Sequence, residues 1–257
     1  MKKPLLLFLF TLSLTAALFP LTALSNDSSN YKQFYLTGKV TGLRKGNIYL
    51  RYTTEDFGTV WDSCVLRNGS FHFNGKVNEP TMAEISLDRE MPFGPDRAEI
   101  FLEEGNLNIK AIKNSFNTLQ MNGTLSQMDY ERLSLTKRKV LEELFEVQKK
   151  LNGTNTAAAE KESLEKRALL LYKEKAKADS LFIVQNPGSF VTAYLIKWNM
   201  DVEQFSLYPV DDLYNQMPAA VKMSSYGKKI LWHMNKVKKY LLTIWLQNLV
   251  PKQLMEI

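Results

Sequence analysis

The sequence predicts an α+β fold with segregated halves, an N-terminal antiparallel β-sandwich or barrel followed by a helical region with a long antiparallel helix pair. Three observations lead there. From Gln33 to Met121 apolar residues alternate in short runs separated by turn residues. After Asn122-Gly123 the apolar spacing changes to that of a helix and keeps it to about Tyr240. With 257 residues, 45% hydrophobic and 11% aromatic, the chain has enough apolar side chain to close a core.

The first segment lies outside that fold. "MKKPLLLFLFTLSLTAALFPLTALSNDSSN" starts with Lys2 and Lys3 and continues as a long apolar stretch. It exits through Ala23-Leu24-Ser25, a small-x-small site for cleavage before Asn26. Leu5 to Leu24 is nearly long enough to span a bilayer, but Pro20 interrupts it and serines and threonines dilute it. The expectation is a cleaved signal peptide over residues 1–25, a linker over 26–32, and no membrane span afterwards. No cysteine stands at the cleavage point, so the mature protein is expected free in the periplasm or outside the cell.

Residues 33–123 hold the strands. "QFYLTGKV" comes first, and "NIYLRYTT" follows across Gly46-Asn47. "TVWDSCVLRNGSFHFNGKV" reads as a hairpin, because Asn68-Gly69 supplies the two positive-φ residues of a type I′ turn. In its second arm Phe71 and Phe73 share a face and His72 takes the other. "TMAEISL", "AEIFLEEG", "LNIKAIK" and "NTLQM" complete about eight strands, a number suited to a sandwich or barrel. The echo of Leu36-Thr37-Gly38-Lys39-Val40 in Phe73-Asn74-Gly75-Lys76-Val77 reads as paired glycine bends in one sheet.

Helical spacing governs residues 124–244. Tyr130, Leu133, Leu141, Leu144, Val147 and Leu151 mark one face of a helix from Thr124 to Lys150. A second helix over about Thr156 to Val184 repeats Leu164, Leu171, Ala178 and Leu181, and the short "NGTNT" link makes the two antiparallel neighbours. Pro187-Gly188 breaks the second helix and Ser189 can cap the next. The aromatic series Phe190, Tyr194, Trp198, Phe205, Tyr208 and Tyr214 is expected to be mostly core. A short helix between prolines and the long "SSYGKKILWHMNKVKKYLL" finish the region, leaving 245–257 as an atypical tail.

Charge and cysteine usage narrow the function classes. Without the signal the chain keeps 31 basic and 27 acidic residues, with 11 of each over residues 30–123 and 19 against 14 over 124–240. That surplus lies along helices with no basic run interleaved with stacking aromatics, which reads as solvated surface and argues against a nucleic-acid partner. The lone Cys64 cannot make an internal disulfide and sits in a strand-like run, so a buried, inert thiol is expected. His72 and His233 have no cysteine or histidine at zinc spacing, and no G-x-S-x-G elbow is present. The acid pairs Glu103-Glu104, Glu142-Glu143 and Asp211-Asp212 diverge on a strand or helix, unlike a glycosidase pair. The sequons at Asn68, Asn122 and Asn152 are explained by turn chemistry. No catalytic, cofactor or metal site is therefore expected in this chain.

The order of features resembles a known family. "FYLTGKVTGLRKGNIYLRY", "DSCVLRNGSFHFNGKVNEP", "IFLEEGNLNI" and "NPGSFVTAYLI" follow a signal peptide as they do in an N-terminal domain of unknown function common in Bacteroidetes envelope proteins. The resemblance covers roughly residues 33–240. It implies a non-catalytic appendage that usually precedes a thioredoxin-like domain of the peroxiredoxin or thiol-disulfide reductase type, whose C-x-x-C lies downstream. This chain has no such motif. Read one nucleotide earlier, "WLQNLVPKQLMEI" can encode A-P-x-F and then D-G, the opening of that domain in relatives. Two readings of the tail stand: a frameshifted junction, or a natural amphipathic terminus packing on the helical half. On the first reading a thioredoxin-like domain or protein is the partner, and its contact surface is expected on Ile230, Val237, Leu241, Ile244 and Trp245. The competing reading is a stand-alone periplasmic binding protein for a peptide, glycan or small ligand.

Overall fold

A computed structural model describes residues 31–54, 58–90, 94–153, 157–201 and 210–249, with the side chains of 201 and 244–249 outside the description. The expected signal peptide and linker therefore lie outside the described residues, apart from Tyr31 and Lys32. So do Phe205, Tyr208 and the end of the tail.

Among the described residues, eight strands form two four-stranded sheets. Sheet A has the order β4 (Ser70–Val77), β1 (Lys32–Thr41), β7 (Gly105–Ile112), β8 (Gln120–Asn122). Sheet B has the order β3 (Gly58–Val65), β2 (Asn47–Thr54), β5 (Thr81–Ser86), β6 (Arg97–Leu102). All pairs are antiparallel except β1 with β7, which run parallel with Leu36 opposite Leu107. The alternation read from the sequence is what closes the sandwich. Phe34, Leu36, Phe71, Phe73, Leu107 and Ile109 of sheet A meet Ile48, Leu50, Ile85, Ile100 and Leu102 of sheet B.

Two local readings are corrected. Asn68 and Gly69 do adopt positive φ, 53° and 81°, and Arg67 and Ser70 exchange both backbone hydrogen bonds at 3.0 Å. The arms on either side nevertheless part: β3 pairs with β2 and β4 pairs with β1, so the turn links two sheets at one side of the sandwich. The two echoed glycines make room for rings. Gly38 stands opposite Phe71 and Gly75 opposite Phe34 in the β1–β4 ladder. A Cβ on Gly38 would come within 2.3 Å of the Phe71 ring, and one on Gly75 within 2.7 Å of the Phe34 ring. The repeat is thus a reciprocal Gly–Phe packing device across one strand pair.

At Thr124 the sheet gives way to helices: α1 (Leu125–Leu151), α2 (Ala158–Gln185), α3 (Phe190–Asp201), α4 (Val210–Gln216), α5 (Ala219–Lys222) and α6 (Ser225–Leu249). The Thr124 side chain accepts from the Gln127 N–H and caps α1. Helices α1 and α2 pack antiparallel over Leu144, Val147, Ala168 and Leu171. Leu181, expected on that seam, is exposed, and the buried residues near it are Asp179, Phe182 and Ile183. Asp179 receives the Lys137 ammonium at 2.6 Å and that of Lys175 at 2.8 Å. Burial holds the Lys137 ammonium below its ordinary pKa, with Asp179 opposing the shift.

β6 explains how the halves join. Ile100, Phe101 and Leu102 are all buried, because Ile100 and Leu102 face the sandwich core while Phe101 faces the helices. Phe101 packs there with Leu133, Ile183, Val191, Ile196, Val221 and Ile230. A strand buried on both faces reads as an unbroken apolar run.

Candidate functional site

The residues expected to form a contact surface lie on the last helix, whose setting begins with a cap. The Glu79 carboxylate, just after β4, accepts from the Ser225 N–H at 2.8 and 2.9 Å. A negative charge at a helix N-terminus is favourable there. Gly227 lies in the first turn, where a Cβ would sit 2.3 Å from the Val221 carbonyl oxygen, so only glycine lets α6 pass α5 this closely. Tyr226 accepts from the Met82 N–H at 3.0 Å. Its ring meets Tyr194 edge-on, and Tyr194 meets Phe101 the same way. Burial pushes the Tyr226 hydroxyl up to about 12 and raises those of Tyr194 and Tyr130 as well.

From that anchor one apolar face runs out of cover. Ile230 is 0% exposed and Met234 is buried beside it, so Ile230 is core and the expectation of a free Ile230 is corrected. Its nearest turns are already covered by α3 and α5, whose Val191, Ile196 and Val221 share one buried cluster with it. The same helical face continues to Val237, 43% exposed, and Leu241, 58% exposed. Ile244 and Trp245 continue it in sequence, and their side chains lie outside the described residues. Lys238 ties this stretch to Asp211 of α4, and Lys236 lies 5.0 Å from the Trp232 ring centroid. Of the aromatic series, Phe190, Tyr194 and Tyr214 pack against the helical core, whereas Trp198 is exposed.

Two of the concavities among the described residues lie at the sandwich edges. A groove of about 550 Å³ lies between β6, the turn at Phe116 and α1, with Leu141, Phe145, Arg97 and Arg138 on its walls. It is bordered by a polar row on the outer face of sheet B, where Glu84 accepts from both Arg51 and Arg97. Burial pushes the Glu84 carboxyl up, but the bonds and charges of Arg97 and Arg51 outweigh it and hold the group below its ordinary value. Glu99 accepts from Tyr130 and so links this row to α1. A second concavity of about 610 Å³ opens on the other side, between β3 and β4, and includes Asp62, Cys64 and His72.

The candidate nucleophiles and acids are dispersed. Cys64 is half-buried against the sandwich core, more open than expected, and its thiol donates to the Val65 carbonyl at 3.6 Å. The acid pairs separate: Glu103 accepts from the Ser126 N–H while Glu104 pairs with Lys32. Glu142 accepts from Asn117 while Glu143 binds Arg167. Among the described residues no three histidine, cysteine or carboxylate groups gather as metal ligands do, and no helix is long and apolar enough to cross a membrane. Sequence reasoning missed Gln127, Glu79 and Glu84. The one signal for them was a polar side chain beside an apolar run at a strand end or helix start.

A sandwich braced by helices, with its acids used in caps and ion pairs, defines the class as a packed α+β module. Residues 34–130 match a family model described as "Domain of unknown function (DUF4369)", so the chain carries such a domain from β1 into the second turn of α1. A comparison with curated proteins finds no match.

Proposed function

We propose that this protein is an exported, non-catalytic module of the cell envelope that docks a thioredoxin-like domain or protein through α6. One observation carries the reading: the face that is fully buried at Ile230 is uncovered at Val237 and Leu241. A contiguous apolar face of this kind marks a contact site. The family resemblance supplies the class of partner. Cys64 is alone, so a dithiol cycle cannot close within this chain. Export rests on the signal-like first 25 residues.

Static light scattering tests the surface. The full chain is expected to self-associate or lose solubility, and deletion of Leu241 to Ile257 to relieve this; equally monodisperse monomers would overturn the reading. An insulin-reduction assay tests the chemistry, with no turnover expected. Turnover that disappears in Cys64→Ser would end the non-catalytic assignment. The groove beside α1 favours a second reading, a binding protein for a peptide, glycan or small ligand. Under it, Phe145→Arg would abolish ligand binding while trimming α6 would leave it intact.

A further inference from the structure

β3 and β4 are the outermost strands of their sheets on the same side of the sandwich. β3 is the more exposed of the two. It runs eight residues, shows Trp61 and Val65 to solvent at 46% and 64%, and carries one charged side chain, Asp62. An edge strand of that length, with an apolar outer face and no lysine, is a template for pairing.

The ladder fixes which groups point away. Leu66 donates to the Gly46 carbonyl at 2.9 Å, in register with the β2–β3 pairs Asn47–Val65 and Ile48–Cys64. Leu66, Cys64, Asp62 and Val60 therefore turn their backbone groups to β2, and Val65, Ser63, Trp61 and Thr59 turn theirs outward. The side-chain bonds agree. The Ser63 N–H donates to its neighbour's carboxylate, Asp62 Oδ1, at 2.7 Å, and the Val65 carbonyl takes the Cys64 thiol.

We propose that β3 is a self-pairing edge: two copies of this chain join β3 to β3, antiparallel, with Ser63 on the two-fold axis. Outward groups must meet outward groups, which restricts the axis to Thr59, Trp61, Ser63 or Val65, or to a position between two of them. Ser63 places Trp61 opposite Val65 twice, so each exposed aromatic covers an exposed β-branched side chain. Asp62 then faces Cys64. An axis midway between Trp61 and Ser63 would set Asp62 against Asp62, and like charges directly opposite are unfavourable. Arg51 and Arg89, whose guanidinium groups lie 5.3 and 5.6 Å from the Trp61 ring centroid, stay on the β2 side and away from the axis. The Asp62 carboxylate holds the central N–H that pairing needs. It competes with the partner strand and sets the strength of the contact.

Sedimentation equilibrium over a concentration series tests this on the full chain. Asp62→Ala is expected to raise the association constant about tenfold or more, since one charge-assisted bond per copy no longer has to be released. Trp61→Lys in the same chain is expected to cancel that gain. In a Cys64→Ser background, Ser63→Cys is expected to oxidise to a covalent dimer, because directly opposed residues of a hydrogen-bonded pair are spaced for a disulfide. Lys110→Cys, exposed on the outer face of β7, is the control and stays reduced. Association unchanged by Asp62→Ala, a gain that survives Trp61→Lys, or crosslinking at Ser63 no faster than at Lys110 would each overturn the proposal. Trimming α6 leaves this gain intact, which separates it from the α6 contact.

Discussion

The two sides of the sandwich solve the same problem in different ways. On one side β6 and β8 end their sheets, and α1 lies along both. Gln127 Oε1 accepts from the Phe101 N–H at 2.8 Å, and Glu131 Oε1 accepts from the Met121 N–H at 3.1 Å, so helix side chains stand in for missing strands. On the other side no described helix lies along β3 or β4, and β3 draws on its own side chains. Asp62 takes the Ser63 N–H, and the Val65 carbonyl takes the Cys64 thiol. The Phe101 N–H and its Gln127 acceptor are buried, so that bond is costly to lose, while water can replace a bond lost at the exposed β3 edge. The helices are thus a structural part of the sheet edge and are not a separable second half. The extent of the family match fits this: it runs past the last strand and takes in Gln127 and Tyr130, two of the groups that bind helix to sheet.

The contrast breaks most severely if α1 loses its brace. Asp179 is 2% exposed and takes two ammonium groups, of which Lys137 is 8% exposed. Asp179→Ala leaves Lys137 charged in an apolar setting and is expected to cost about 3–5 kcal/mol in urea unfolding. The double change Lys137→Met with Asp179→Leu is expected to recover most of that loss, because the desolvated charge disappears along with its partner.

Alkali attacks the covered side next. Tyr226 has its folded pKa raised to about 12 from 10.0, and Tyr194 and Tyr130 are raised too. A group raised on folding contributes stability in full below its unfolded value and loses it as pH climbs through the folded one. Stability is therefore expected to hold below pH 10 and to fall between about pH 10 and 12 as unfolded tyrosines ionise first. Tyr226→Phe should flatten that fall. Thermal melts across the range, with tyrosinate absorbance as the second signal, check it.

Much of this was legible from local chemistry. Period-two runs gave the strands, Asn68-Gly69 gave its turn, and Ser189 gave its cap, because each depends on neighbours in sequence. What failed depended on distant partners. A type I′ turn has the same residues whether its arms pair or part, so β3 and β4 could not be assigned to different sheets. Gly38 and Gly75 looked like bends because the rings they accommodate lie on the facing strand. The α6 face was legible as a stripe, but periodicity is identical at Ile230 and Leu241, and only the packing of α3 and α5 decides which is covered.

The smallest expected effect sharpens the comparison best. Gln127→Ala and Asp62→Ala each remove one side-chain oxygen from one strand N–H. At Gln127 the amide left behind is Phe101's, buried between sheet and helix, with no water to replace the lost acceptor. The expected loss is about 1–3 kcal/mol. At Asp62 the amide left behind is Ser63's, open to solvent, and water takes the bond. Monomer stability is then expected to change by about 0.5 kcal/mol or less. Chemical denaturation of both variants, at a concentration low enough to keep Asp62→Ala monomeric, measures the difference directly. Equal losses would mean that the β3 edge is as dry as the β6 edge, and the division into covered and bare sides would fail.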